Sequence, residues 1–171
     1  MEVLIGNIVA FVAASLMVYT GILNDRKKII RIQTIYTCLF IISDFLLDGF
    51  SGAIINFLTI IRNLLSYYDR LGTLPKIIIS VLAIITCRIF NNLGVIGMFP
   101  LFSMLMYILF MNTKDIQKFK LLIVVTSLLW GIYDLTIKLY VSFAFDIMTI
   151  IATIVTLFIN EHKMKKNVKT E

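Results

Sequence analysis

Three carboxylates, Asp44, Asp134 and Asp146, and three cations, Arg62, Arg88 and Lys138, stand within long apolar runs of the sequence. An ionised group at the centre of a membrane helix costs roughly 2.5–3.5 kcal/mol on insertion scales, so such residues must face protein or water rather than lipid. Polar side chains recur around them at helical spacing. Asn56, Thr59, Arg62 and Asn63 form one stripe, and Asp146, Thr149, Thr153 and Thr156 form another, because steps of three and four keep residues on one helix face. Trp130 lies one turn from Asp134, with Ser127 and Tyr133 close by. An aromatic plate beside a carboxylate suits a sugar, a vitamin or another flat polar solute. The residues expected to bind a solute are therefore Asn56, Asp146, Trp130, Thr59, Thr149, Asp44 and Asp134. Arg62, Arg88 and Lys138 equal the embedded acids in number and are expected to form structural ion pairs. A plainer reading makes the polar stripes interhelical packing alone. A third has one of the acids exchange a proton during transport.

Other chemistry finds no residues to carry it. The one histidine, His162, lies in a polar tail, so no zinc ligand set exists, and there is no phosphate-binding or dinucleotide glycine motif. No nucleophile, base and orienter combination is visible, so an enzyme is not expected, nor a metal or other cofactor. Cys38 and Cys87 both lie in apolar stretches, where a free thiol behaves as a small hydrophobe. The net charge of +6 comes from basic residues between apolar runs and at the C-terminus, which argues for topology signals and against a nucleic-acid partner.

The elements that must position these side chains follow from composition. Of 171 residues, 60% are apolar and 15% charged, too little charge for the hydrated surface of a soluble domain. The sequence predicts an all-α membrane protein with spans near 3–22, 30–48, 51–68, 75–91, 94–112, 118–138 and 141–160. Pro75 fits the first turn of the fourth helix. The first apolar run follows Glu2 and precedes its positive charges, so it is expected to remain as a helix rather than act as a cleaved signal. In this arrangement all 16 lysines and arginines except Arg62, Arg88 and Lys138 fall on one side. The positive-inside rule then puts the N-terminus outside and the C-terminus in the cytoplasm.

The chain also matches itself. A shift of 88 pairs Gly6 with Gly94, Ser15 with Ser103, Tyr19 with Tyr107 and Asn24 with Asn112. A shift of 90 pairs Asp44 with Asp134, Asn56 with Asp146 and Thr59 with Thr149. The expected organisation is two parallel three-helix bundles, 1–70 and 93–160, joined by a linker helix at 71–92 and followed by a basic tail at 161–171. Parallel bundles of this kind place a solute site between them, near mid-membrane. The small residues Gly6, Ala10, Ala13, Ala14 and Gly21 make a seam for close helix contact on the first helix.

Ser51 to Asn56 with Ile60, Ile61, Arg62 and Asn63, the run from Trp130 to Asp134, and the overall length resemble the YgjV family of bacterial inner-membrane proteins over nearly the whole chain. That family is similar to the MtN3/PQ-loop group, which includes SWEET sugar transporters and PnuC-type nicotinamide riboside transporters. The resemblance implies a 3+1+3 helix plan and a bacterial inner-membrane location. It sets Asn56 and Asp146 where SWEET-like proteins hold paired pocket asparagines, and makes Trp130 a pocket wall. The family's proline–glutamine pair is absent, since Val12, Ala13 and Pro100, Leu101 stand at those positions, leaving Pro100 as the expected hinge. The function expected is an alternating-access transporter or facilitator of a small polar solute, with the lipid bilayer as its surroundings. The alternative is a non-transporting receptor or scaffold of the same fold, and the sequence leaves a homo-oligomer open.

Overall fold

The computed structural model describes residues 2–168 apart from 112 and 114, with side chains described as far as residue 160. Asn112, Lys114 and the side chains of the basic tail at 161–171, that of His162 among them, thus lie outside what is described. Those described fold into seven α-helices without strands: α1 (Glu2–Ile22), α2 (Arg26–Leu46), α3 (Phe50–Tyr67), α4 (Thr73–Phe90), α5 (Phe99–Phe110), α6 (Ile116–Thr136) and α7 (Tyr140–Val168). Five of them, α1, α2, α4, α6 and α7, are long and apolar enough to cross a membrane. The other two fall short for visible reasons. The α3 helix carries the polar stripe. The α5 helix has 12 residues and begins later than expected. Before it, Asn91 accepts from the Leu93 amide and donates to the Gly94 carbonyl, Gly94 takes φ +59°, and a 3₁₀ turn runs over Ile96–Met98. Gly94 therefore sits in a turn, unlike its sequence match Gly6, which is buried in α1.

Capping residues explain where the helices begin and end. Asp25 accepts from the amides of Lys27 and Lys28, and Asp115 accepts in the same way from those of Gln117 and Lys118, satisfying donors that a helix start leaves unpaired. The turns at 47–49 and 137–139 are also alike. Asp48 and Lys138 adopt left-handed φ of 55° and 64°. The next amides, of Gly49 and Leu139, close back on the carbonyls of Asp44 and Asp134, each at 2.8 Å. This six-to-one bond is the Schellman closure that ends a helix. Each of these features recurs at a spacing of 90 residues.

Neighbouring helices run antiparallel through these short turns. The α1 helix packs on α2 and α7, α2 on α3, α3 on α4 and α5, and α6 on both α5 and α7. Six helices thus close a ring, α1–α2–α3–α5–α6–α7, while α4 lies against α3 and α5. The ring has one end, at the turns 47–49 and 137–139, that lies over the buried Asp44 and Asp134 and is called the acidic end. Its basic end carries Arg26, Lys27, Lys28, Arg31, Arg70 and Lys118. Large apolar side chains such as Leu4, Phe57, Ile89, Leu109 and Phe158 are exposed on the outside. That surface suits lipid and would be anomalous in water.

Close helix contact depends on two glycines. A methyl group at Gly21 would lie 2.7 Å from Thr153 Oγ1, and one at Gly52 would lie 2.8 Å from Tyr133 Cε1 and Oη. Gly21 belongs to the small-residue seam read in the sequence, and α7 covers it.

Two of the expected embedded cations are not embedded. Arg88, in the last turn of α4, is exposed, where a long basic side chain can extend past the helix end. Lys138 is exposed in the left-handed turn because α6 ends at Thr136, before the predicted boundary. Among the described residues the ion pairs are Arg26 with Asp69 at 3.8 Å and Lys27 with Asp69 at 3.1 Å, both at the basic end. Among the described residues Arg62, Arg88 and Lys138 thus form none of the expected pairs with the embedded acids: Arg88 and Lys138 are exposed, and Arg62 has other partners.

Candidate solute-binding cavity

The inside of the ring encloses a cavity of about 70 Å³, room for a few water-sized molecules or a small solute. Asn56, Thr59, Arg62 and Asn63, the whole stripe of α3, line it. From α6 come Ser127, Trp130 and Asp134, and from α2 comes Asp44. Only the first residue of the α7 stripe, Asp146, reaches the cavity. Thr149 is fully buried, but its hydroxyl donates to the Phe145 carbonyl one turn back and it packs beside Gly21 of α1. Thr149 is thus a packing residue, because α7 turns that part of its face toward α1.

Charge is divided along the cavity. Asp44, Asp134 and Asp146, each no more than 3% exposed, gather toward the acidic end. Asn56 donates from Nδ2 to Asp44 Oδ2 at 2.7 Å, and the Ser142 hydroxyl lies beside Asp134. Arg62 lies six residues further along α3 than Asn56, or about 9 Å at 1.5 Å per residue. Its Nε and Nη2 donate to Asn63 Oδ1 at 3.2 and 2.8 Å, and its guanidinium covers the Tyr107 ring, 4.4 Å from the centroid. A desolvated cation over an aromatic face gains roughly 2 kcal/mol. An amide and a ring thus hold Arg62, without a carboxylate.

Tyr133 closes the acidic end. Its hydroxyl accepts from the Gly52 amide at 3.0 Å and lies 3.3 Å from Ser51 Oγ, so an α6 side chain satisfies a donor at the start of α3. Trp130 packs edge to face on Tyr133, 5.7 Å between centroids. Pro100 lines the cavity from the first turn of α5. A proline there starts a helix without bending it, so its position gives no mid-helix hinge.

At the basic end two cations cap the ends of other helices of the ring. Arg26 of α2 donates from Nε to the Met111 carbonyl closing α5, at 2.8 Å. Lys120 of α6, fully buried, donates to the Gly21 carbonyl in the last turn of α1, at 3.3 Å. Helix C-termini leave such carbonyls unpaired and carry partial negative charge.

Several cavity residues escaped the sequence reading. Gln33, Tyr36, Thr37, Tyr107 and Thr126 all contribute. Gln33 donates to the Tyr107 hydroxyl at 2.9 Å. The available signal was a third stripe, since Gln33, Thr37 and Asp44 share one face of α2 at steps of four and seven.

The family model for Imp-YgjV, described as a bacterial inner membrane protein, matches residues 4–163. The chain belongs to this family. No curated protein and no solved structure matches it. For an Imp-YgjV member, a ring of helices with an apolar exterior and a polar hollow agrees with residence in the inner membrane. The cavity draws on residues along nearly the whole matched segment.

Proposed function

We propose that this Imp-YgjV protein carries a small polar solute across the bacterial inner membrane by alternating access, without covalent chemistry. The solute occupies the cavity, α1–α3 and α5–α7 act as two like units with α4 as linker, and the basic end faces the cytoplasm. One observation carries this reading. Among the described residues, four buried side-chain polar atoms have no hydrogen-bond partner. Three of them, Gln33 Oε1, Asn63 Nδ2 and Asp146 Oδ2, belong to residues lining this single cavity. Unpaired buried polar atoms cost about 1–3 kcal/mol each, so their convergence favours a hollow whose contents complete the bonding.

Three further features support the two-unit plan. The Asp25 and Asp115 caps, the two left-handed turns, and the Gly21 and Met111 carbonyls that Lys120 and Arg26 reach each recur at a shift of 90, although the two cations themselves stand 94 apart. The caps would release and re-form as the basic end opens and closes. The test is uptake into vesicles holding the purified protein, using a panel of small labelled polar solutes. Asn56→Ala and Asp146→Asn are expected to lower flux at least tenfold while the protein remains folded. Binding that these substitutions abolish, with no flux in the parent, would assign a receptor instead.

A further inference from the structure

We propose that the solute is a small organic cation with N–H donors, such as a primary ammonium, and that Asp146 receives its charged nitrogen. This rests on the reading of the cavity as a solute site. The two halves of the ring supply the argument when compared residue by residue. In the first half, Asp44 and Asn56 form a carboxylate–amide bond of 2.7 Å. In the second half the matching positions, 90 residues on, are Asp134 and Asp146. The amide donor has become a second carboxylate, so this half lacks one donor and has an additional acid.

The chain does not make up that deficit. Asp146 Oδ2 is buried without a hydrogen-bond partner, its residue is 2% exposed, and it lines the cavity. This oxygen packs over Gly131, 3.5 Å from where a methyl group on that glycine would stand, next along α6 from Trp130. The cavity's own cation, Arg62, is held further along by Asn63 and the Tyr107 ring. A ligand at Asp146 therefore meets an unpaired oxygen in a cavity lined by three acids, one arginine and Trp130. An ammonium supplies the missing donor and offsets the excess of acids over cations, and Trp130 lines the same cavity, as aromatic rings do where cations bind. A neutral sugar-like solute would supply donors but leave the charge uncompensated.

The experiment uses the full-length purified protein at constant neutral pH, with n-butylamine, n-butanol, tetramethylammonium and sodium chloride as probes. Binding is read by calorimetry and by thermal stability, since a ligand that binds the folded state raises its Tm. Butylamine is expected to bind at least tenfold more tightly than butanol, which lacks charge, and than tetramethylammonium, which lacks N–H donors. Asp146→Asn is expected to weaken butylamine at least tenfold, yet to melt no lower than the parent, because its new amide can donate to Asp134 as Asn56 does to Asp44. Equal binding of butanol or sodium, butylamine binding that survives Asp146→Asn, or a variant that fails to fold would each overturn the proposal. The solute-site reading fails separately. It falls only if no panel solute, charged or neutral, binds in a manner sensitive to Asn56→Ala.

Discussion

Arg26 on α2 and Met111 at the close of α5 are joined by a 2.8 Å hydrogen bond that ties α2 to α5 at the basic end. A hydrogen bond to a charged group contributes about 1.5–3 kcal/mol. Arg26→Met keeps most of the stem but loses this bond together with those to Ser66 Oγ and Asp69, and is expected to lower unfolding free energy by at least about that amount. Chemical denaturation in detergent would measure it. A change below about 0.5 kcal/mol would show that the cap contributes nothing.

Lys120→Met should act similarly at the other contact and couple to Arg26→Met only weakly, since each cation caps a different helix. Were opening of the basic end to require both caps to break, the double variant would also shift labelling. A cysteine at Ser127, in a Cys38→Ser, Cys87→Ser background, is expected to react faster with a water-soluble maleimide when both caps are absent. Unchanged labelling would mean that the caps do not govern access.

Removing the Tyr133 hydroxyl leaves the Gly52 amide without its acceptor inside the protein. Tyr133→Phe is expected to cost about 1–3 kcal/mol, read as a lower Tm. The loss should remain in Ser51→Ala, because the serine is the lesser partner.

Gly52→Ala forces a methyl group to 2.8 Å from the Tyr133 ring, whereas Gly72 has nothing within 4 Å of a new methyl group. Overpacking costs about 1–3 kcal/mol, so Gly52→Ala should destabilise and Gly72→Ala should be neutral within about 0.5 kcal/mol. Equal effects on Tm would contradict the close approach of α6 to α3.

Orientation is open to a direct check. Gly72→Cys lies at the basic end and Val95→Cys at the acidic end, and both positions are exposed. With the basic end in the cytoplasm, an impermeant thiol reagent applied to intact cells should label Val95→Cys and spare Gly72→Cys. The opposite pattern would invert the proposed topology.

The sequence made the helices legible because each apolar run is broken by turn residues and caps. It also exposed Asn56, Thr59, Arg62, Asp44, Asp134, Asp146 and Trp130, which share the cavity, because a polar residue in such a run has few tolerable surroundings. It could not tell which part of a stripe meets the hollow. Thr149 has the same spacing from Asp146 as Thr59 has from Asn56, yet α1 covers it. Counting charges misled in a different way. Equal numbers of acids and bases suggested pairs, but Arg88 and Lys138 lie near helix ends where a long side chain escapes outward. Arg62 found a ring and an amide. Gln33 was legible only through the α2 stripe it forms with Thr37 and Asp44, whereas Tyr107, one phenol in an apolar run, carries no pattern alone.

The helix α4 contributes no residue to the cavity lining, and its buried positions reduce to Ile79, Ala83 and Cys87, one every fourth residue. Random mutagenesis should therefore find this segment the most forgiving stretch of the protein: outside that narrow seam, any greasy replacement ought to survive selection. Over long divergence its letters would drift freely while its length stayed fixed, since what it must preserve is a return crossing of the bilayer.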